Sequence, residues 1–276
     1  MHASGWVASA AIVLSAVHLP QADPRGNPPY SQIFYKSGGL RIEAYLYKPS
    51  GDGPFPLVVY NHGSRDGQDR LEQPAMFVGR LLTGAGYAVL VPERRGYGKS
   101  DGPILRDEIG RDLGSRMLNR LHEEASDVLA AVDQIGSDRS IDTTRTALVG
   151  WSFGGIVSLF AARGSAAFFA VVDQAAGSLT WDHSPALQSA LRDAAANIRA
   201  PLLCMDAKND ATTAAVKAAC DAARSHGYAA ELKIYPAFTP ARNTSGAAPG
   251  HLVFTAQGVS IWGSDVVAFL DAHVPR

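Results

Sequence analysis

The sequence has little that points to a membrane, a nucleic acid or a metal. None of its apolar runs reaches the ~18 residues that a transmembrane helix needs. Its formal net charge is -1, from 25 basic and 26 acidic side chains, so no excess of positive charge favours a nucleic acid or an anionic membrane. CxxC and HExxH motifs are absent, and we therefore predict neither a metal nor a cofactor.

Cysteine is also scarce, with two residues in the whole chain. Cys204 falls in a predicted buried strand and Cys220 in the helix that follows, so we expect two buried free thiols. In an exported protein, a disulfide between them is the alternative, because sequence spacing alone does not determine cysteine pairing.

The N-terminal segment differs in composition from the rest of the chain. Residues 7–17 (VASAAIVLSAV) are apolar and are followed by several prolines, which is typical of the core of a signal peptide and an extended linker. No Lys or Arg precedes this stretch, and no clear cleavage site follows it. Residues 1–30 are therefore either the signal peptide and linker of a secreted or periplasmic protein, or an N-terminal helix of a cytoplasmic one.

Residues 31–276 carry the pattern of one α/β domain. Residues 31–37 and 40–48 alternate apolar and polar side chains around Gly38-Gly39, which predicts an antiparallel hairpin. From residue 57 onward, short apolar strands alternate with helical patterns, which indicates a mostly parallel sheet wound on both faces. The predicted strands lie at about 54–60, 87–91, 146–149, 168–172, 201–205 and 231–235, and the helices at about 71–84, 118–135, 155–163, 186–198, 212–225 and 261–273.

A serine lies between a predicted strand and a predicted helix, in Gly150-Trp151-Ser152-Phe153-Gly154. This spacing matches the G-x-S-x-G nucleophile elbow, in which the flanking glycines avoid collisions with the neighbouring strand and helix. At the N-terminus of a helix, free backbone N–H groups can stabilise developing negative charge. The alternative is a glycine-rich turn whose serine only caps the helix.

A nucleophilic serine needs a base, normally a histidine that a carboxylate orients. His251 follows the last predicted strand and precedes the last helix, at the sheet edge where Ser152 lies; a solvated loop histidine is the alternative. The carboxylate is expected between them in the chain. We favour Asp210, because several turn residues are needed to bring a carboxylate back toward the histidine, and Asp206 and Asp173 remain the alternatives.

Acyl transfer also needs two N–H groups that bind the developing oxyanion. The amide of Phe153 follows the nucleophile directly and is one expected donor. The other should come from the loop after the strand that ends at residue 60, where Ser64 is favoured and Arg65 is next. We expect His62 in this loop to be a hydrogen-bonding scaffold and not a base.

Taken together, these motifs resemble the α/β-hydrolase superfamily over roughly residues 31–276. Within it, the chain is similar to dienelactone-hydrolase-like and prolyl-oligopeptidase-like catalytic domains. The resemblance implies an α/β-hydrolase fold and hydrolysis of esters or peptides through an acyl-enzyme. The short segment 173–198 leaves room for a minimal lid only. The motifs that carry the resemblance are Asn61-His62-Gly63, Pro92–Ser100, Gly150–Gly155, the Asp210 turn and Gly250-His251.

The sequence therefore predicts a serine carboxylesterase that acts on a small-molecule ester. Ser152, His251 and Asp210 would form its catalytic triad, and the amides of Ser64 and Phe153 its oxyanion hole. The alternatives are a small peptidase, amidase or thioesterase with the same triad, and a hydrolase-fold binding protein without catalysis. The pair Arg94-Arg95 would either meet an anionic substrate or form ion pairs at a strand end.

Overall fold

Eight β-strands pair into one sheet within residues 28–276, the part of the chain that the computed structural model describes. The strands are β1 (Tyr30–Ser37), β2 (Leu40–Tyr47), β3 (Phe55–Asn61), β4 (Ala88–Glu93), β5 (Ile141–Trp151), β6 (Phe168–Gln174), β7 (Leu202–Ala207) and β8 (Ala230–Tyr235). The helices are α1 (Met76–Gly84), α2 (Leu105–Ile109), α3 (Ser115–Ile135), α4 (Phe153–Ala162), α5 (Pro185–Ala195), α6 (Ala214–Ser225) and α7 (Val259–His273). The apolar stretch at residues 7–17, on which the signal-peptide interpretation depends, lies outside the described residues.

The strand order in the sheet is β1-β2-β4-β3-β5-β6-β7-β8. The hairpin β1–β2 is antiparallel and joins β4 in antiparallel register, whereas every pair from β4 to β8 along the sheet is parallel. Between β6 and β7 lie a 3-10 turn (Trp181–His183) and α5, and α5 packs on the neighbouring helices α4 and α6. The predicted α/β-hydrolase architecture, with its N-terminal hairpin, is confirmed.

The central strands are apolar on both faces because helices cover both sides of the sheet. In β3, Leu57 and Val59 pack in the core on one side, whereas Val58 and Tyr60 pack in the core on the other. Parallel strands that are covered in this way read as continuous apolar runs. This is why short runs in the sequence predicted the strands.

The helices that cover the sheet are amphipathic or buried. The longest, α3, has 21 residues and buries an apolar stripe while it presents charged side chains to solvent and to the loops. None of the described helices is both long enough and apolar enough to cross a bilayer.

Several element boundaries differ from the predicted ones. Helix α1 begins at Met76 and not near residue 71, because the preceding residues form a loop that an ion pair between Arg65 and Glu93 holds in place. The segment between the predicted strand at 87–91 and the predicted helix at 118–135, for which no element was predicted, contains α2. Strand β5 begins at residue 141, five residues earlier than predicted, where polar residues continue the pairing with β3 through a shift in register.

A buried ion-pair network joins the end of β4 to α3. The Nε atoms of Arg94 and Arg120 donate to the two carboxylate oxygens of Glu124, at 2.6 and 2.7 Å, and all three side chains are inaccessible to solvent. Next to them, Arg95 Nε and Nη2 donate to the Asp127 carboxylate at 3.0 and 2.9 Å. Of the two interpretations of Arg94-Arg95, the structure therefore shows ion pairing.

We expect the substitution Glu124→Ala to lower the free energy of unfolding by about 3–5 kcal/mol, because it leaves two buried guanidinium groups without their shared partner. Urea unfolding followed by circular dichroism measures this loss. The matched control is Glu123→Ala on the same helix, whose partly exposed ion pair with Arg95 should contribute no more than about 1 kcal/mol. Equal losses in the two variants would contradict the assignment.

Candidate active site

Ser152 lies on a strained turn between β5 and α4, with a φ of 57° and a ψ of -123°. The turn is possible because the flanking residues lack side chains. A β-carbon on Gly150 would lie 2.3 Å from the Gly154 carbonyl oxygen, and one on Gly154 would lie 2.1 Å from that of Asn61. The Ser152 N–H donates to the Gln174 carbonyl oxygen at 2.8 Å, which ties the turn to β6.

His251 connects Ser152 to a carboxylate. It lies on a 3-10 helix (Pro249–Phe254) that the sequence patterns did not predict. Its Nε2 is 2.8 Å from Ser152 Oγ, and its Nδ1 is 2.7 Å from Asp210 Oδ2. The imidazole is 2% exposed, so these contacts are shielded from bulk water. If Nδ1 carries the proton that is donated to Asp210, Nε2 is left free to accept one from Ser152.

Asn209 holds the segment that carries His251, and sequence reasoning missed it. The Asn209 side chain donates to the Phe238 carbonyl oxygen and accepts from the Phe238 N–H, both at 2.8 Å. The backbone carbonyl of Asn209 accepts from the Gly250 N–H at 3.2 Å. The two ends of the long loop between β8 and the 3-10 helix thus meet at one residue. Its position directly before Asp210 is the one signal that could have identified it.

Asp206 lies near the end of β7 and Asp210 in the turn that follows it, and the two carboxylates have different surroundings. Asp210 Oδ1 accepts from the Ala211 N–H at 2.6 Å and its Oδ2 faces His251. Asp206 lies behind it, fully buried, and accepts from Ser178 Oγ at 2.8 Å. Burial and the neighbouring Asp210 carboxylate raise the pKa of Asp206 to about 9, so Asp206 is a neutral acid at neutral pH.

Asp173, the third candidate carboxylate, is bound elsewhere. Its Oδ1 accepts from the Ala176 N–H at 2.8 Å, and its Oδ2 has no hydrogen-bond partner among the described residues. It pairs in register with Cys204 of β7, and Cys204 and Cys220 are both buried free thiols. Burial raises the pKa of Asp173 to about 7.

The loop after β3 passes directly beside Ser152. A β-carbon on Gly63 would lie 3.2 Å from that of Ser152. Ser64 follows Gly63 on this loop and Phe153 is the first residue of α4, so the two candidate oxyanion amides belong to the two segments that meet at Ser152.

His62 in the same loop is a structural residue. Its Nδ1 is 2.7 Å from the Gly63 carbonyl oxygen, and the backbone carbonyl of His62 accepts from Arg94 Nη2 at 2.8 Å. Burial, followed by the charges of Arg65 and Arg94, holds the pKa of the imidazole well below its usual range. His62 is therefore neutral, and its ring packs edge to face on Tyr97, with ring centres 4.7 Å apart.

A pocket of about 270 Å³ opens beside this loop. It is lined by Tyr60, His62, Gly63, Arg65, Gln73, Ala75, Phe77, Trp151, Thr255 and Ala256. Within residues 28–276, no group of three or more His, Cys, Asp or Glu side chains could hold a metal ion. The chemistry available at this site is that of a serine, an imidazole, a carboxylate and backbone amides.

Comparison with protein families and known structures agrees with this fold. The model of the X-Pro dipeptidyl-peptidase (S15) family matches residues 38–238. The chain is 30% identical over 142 residues to the quorum-quenching protein AidA of Acinetobacter baumannii, which is 51% of this chain and 42% of AidA. It spans less than half the length of the curated relatives it matches.

Two solved structures illustrate the likeness in fold. The acylaminoacyl peptidase of Pyrococcus horikoshii superposes with a TM-score of 0.66 at 16% identity, over 89% of this chain and 41% of that one. A Klebsiella pneumoniae protein assigned as a dienelactone hydrolase superposes with a TM-score of 0.64 at 20% identity, over 88% of this chain and 98% of that one. The resemblance to these two groups of α/β-hydrolases is confirmed.

We expect Asp173→Asn to change how stability depends on pH. The folded pKa of about 7 lies above the ordinary value of 3.8, so the folded protein binds this proton more tightly than the unfolded chain. The wild type should therefore lose stability as pH rises from about 4 to 7, on the order of 4 kcal/mol from this group. Asn keeps the acceptor for Ala176 and has no proton to lose.

Urea unfolding at intervals from pH 5 to 8 tests this, with exposed Asp221→Asn as the matched control. The Asp173→Asn variant should gain stability over the wild type as pH rises, whereas the control should follow the wild-type curve. Parallel curves for all three proteins would show that Asp173 is not a buried acid.

Proposed function

The chain belongs to the X-Pro dipeptidyl-peptidase (S15) family of serine hydrolases, and from this we propose that it cleaves small, neutral carboxylic esters through an acyl-enzyme. The observation that carries the proposal is the continuous hydrogen-bonded chain from Asp210 through His251 to Ser152. A serine oxygen that is bonded to an oriented imidazole is the arrangement that nucleophilic acyl transfer requires.

In the proposed acylation step, Ser152 Oγ attacks the ester carbonyl carbon while His251 Nε2 takes the hydroxyl proton. Asp210 stabilises the resulting imidazolium through its bond to Nδ1. The negative charge on the carbonyl oxygen is bound by the amides of Phe153 and Ser64. As the tetrahedral intermediate collapses, His251 returns the proton to the leaving oxygen and the alcohol departs.

Deacylation repeats the sequence with water as the nucleophile. His251 Nε2 takes a proton from a water molecule that attacks the acyl carbonyl, and the same amides bind the oxyanion. Collapse of the second intermediate returns the proton to Ser152 Oγ and releases the carboxylic acid. Each proton taken is returned, so the enzyme ends the cycle unchanged.

The charge state of the pocket supports a neutral substrate. Arg65 is the one residue of the lining that always carries charge, and its guanidinium is bound to Glu93, with Nη2 to Oε1 at 2.9 Å. A substrate of a dipeptidyl peptidase carries a free ammonium group, which needs an unpaired carboxylate. No carboxylate lines this pocket. Hydrolysis of peptides, amides or thioesters by the same three residues is the second candidate, because the family is named for a peptidase activity.

We expect Ser152→Ala to lower kcat for p-nitrophenyl acetate by at least about 10⁴-fold, because it removes the nucleophile. Stopped assays of p-nitrophenol release measure the rate. The control is Ser225→Ala, an exposed serine at the end of α6, which should retain full activity. Full activity of Ser152→Ala would refute the proposal, and faster cleavage of the matched anilide than of the ester would favour the amidase alternative.

The two neighbouring aspartates should respond differently to the same substitution. Asp210→Asn should lower kcat on the order of 10⁴-fold, because an amide cannot stabilise the imidazolium and favours the wrong tautomer. Asp206→Asn should lower kcat by at most about tenfold, because an amide resembles the neutral carboxylic acid that burial favours at this position.

Steady-state rates of the two variants on one ester decide between the carboxylates. A larger loss in Asp206→Asn than in Asp210→Asn would exchange their roles. Circular dichroism of both variants shows whether either loss comes from unfolding.

A further inference from the structure

The pocket beside the loop after β3 lies next to the nucleophile. Gly63 belongs to its lining, and a β-carbon on Gly63 would lie 3.2 Å from both Ser152 Cβ and the Trp151 ring. Trp151, which directly precedes the serine, forms another part of the wall. Gly63 and Trp151 thus join the pocket to the turn that carries Ser152.

The pocket lies on the histidine side of the serine. The Trp151 ring centre is 5.6 Å from that of His251, and Trp151 Nε1 donates to the His251 carbonyl oxygen at 3.1 Å. Thr255 and Ala256, which close the pocket, follow His251 on the same segment, and Thr255 Oγ1 donates to the Leu252 carbonyl oxygen at 2.7 Å. During acylation the histidine must protonate the leaving oxygen, so the leaving group has to lie on this side.

The walls of the pocket are aromatic and fixed by packing. Tyr60 and Phe77 meet edge to face, with ring centres 6.2 Å apart. Phe77 in turn packs edge to face on buried Trp262, at 6.3 Å. Trp151 closes the side nearest the serine. Aromatic walls favour a flat aromatic ligand through stacked or edge-to-face contacts.

The permanently charged group in the lining is already paired, whereas His62 Nε2 has no hydrogen-bond partner among the described residues. Arg65 donates to Glu93 and to the Leu71 carbonyl oxygen, at 3.2 Å for the latter. His62 is held neutral by burial, and its Nδ1 contacts the Gly63 carbonyl. A charged ligand would find no free counter-ion among these residues, so a neutral one is favoured.

We propose that this pocket is the leaving-group subsite and that it takes a neutral alcohol portion with a single aromatic ring. The assignment rests on the proposed ester hydrolysis at Ser152. Its volume of about 270 Å³ agrees with this size, because an apolar cavity of ~150 Å³ already holds benzene. The remaining space accommodates the methylene and ester oxygen that join the ring to the carbonyl.

Ala256→Trp tests the proposal, because Ala256 is exposed at the pocket mouth and a larger side chain there fills the pocket without disturbing the core. Benzyl acetate and ethyl acetate form the same acetyl-enzyme and have leaving alcohols of similar basicity. We expect the wild type to prefer benzyl acetate in kcat/KM by roughly tenfold or more. In Ala256→Trp this ratio should fall about tenfold.

The matched control is Ala166→Trp, an exposed alanine in the loop before β6, which should leave the benzyl-to-ethyl ratio as in the wild type. An unchanged ratio in Ala256→Trp would overturn the proposal. A fall in the kcat/KM ratio of ethyl benzoate to ethyl acetate, with the benzyl-to-ethyl ratio unchanged, would also overturn it, because the pocket would then hold the acyl group.

Labelling of the wild type by a fluorophosphonate separates this inference from the proposed function. Its leaving group is fluoride, which needs no pocket. If Ser152 is labelled but the ratio does not respond to Ala256→Trp, the subsite assignment alone fails. If Ser152 is not labelled, the ester hydrolysis on which the assignment rests fails as well.

Discussion

The close approach of α4 to the end of β3 is the constraint on which the rest of the site depends. A β-carbon on Gly154 would lie 2.1 Å from the Asn61 carbonyl oxygen, so only glycine allows this contact. The approach aims Ser152 out of the turn with a positive φ and brings the loop after β3 against it. The same turn places Trp151 against His251, with ring centres 5.6 Å apart. The positions of Ser152, the candidate oxyanion amides and the pocket all follow from one steric condition.

The buried ion pairs and the neutral ionisable groups near Ser152 lie in different parts of the molecule. Between β4 and α3, buried guanidinium and carboxylate groups are paired with each other, and one of them, Arg94, also holds the carbonyl of His62. Around the serine, the ionisable neighbours are kept neutral by burial, with the pKa of Asp206 raised and that of His62 lowered. His251 is the titratable side chain that is hydrogen-bonded to Ser152, and Asp210 orients it from the other side of the imidazole.

Much of this architecture could be predicted from the sequence, because it depends on local patterns. Apolar runs identified the parallel strands, and the glycine spacing around Ser152 identified its turn. The choice between Asp206 and Asp210 could not be settled in this way, since both lie at the carboxyl end of β7 and only the packing around them differs. The start of α1 and the role of Asn209 also depend on contacts between distant segments, with Glu93 and Phe238 respectively. The pocket is formed by four segments that are distant in the chain, and it has no local signal.

The central claim is that Ser152 is the nucleophile of a covalent mechanism. The most direct measurement is to treat the protein with a fluorophosphonate, digest it and locate the adduct by peptide mass spectrometry. The account predicts one adduct per chain, on Ser152, and its loss when the protein is unfolded before treatment. An adduct on another residue, or none on the folded protein, would contradict it.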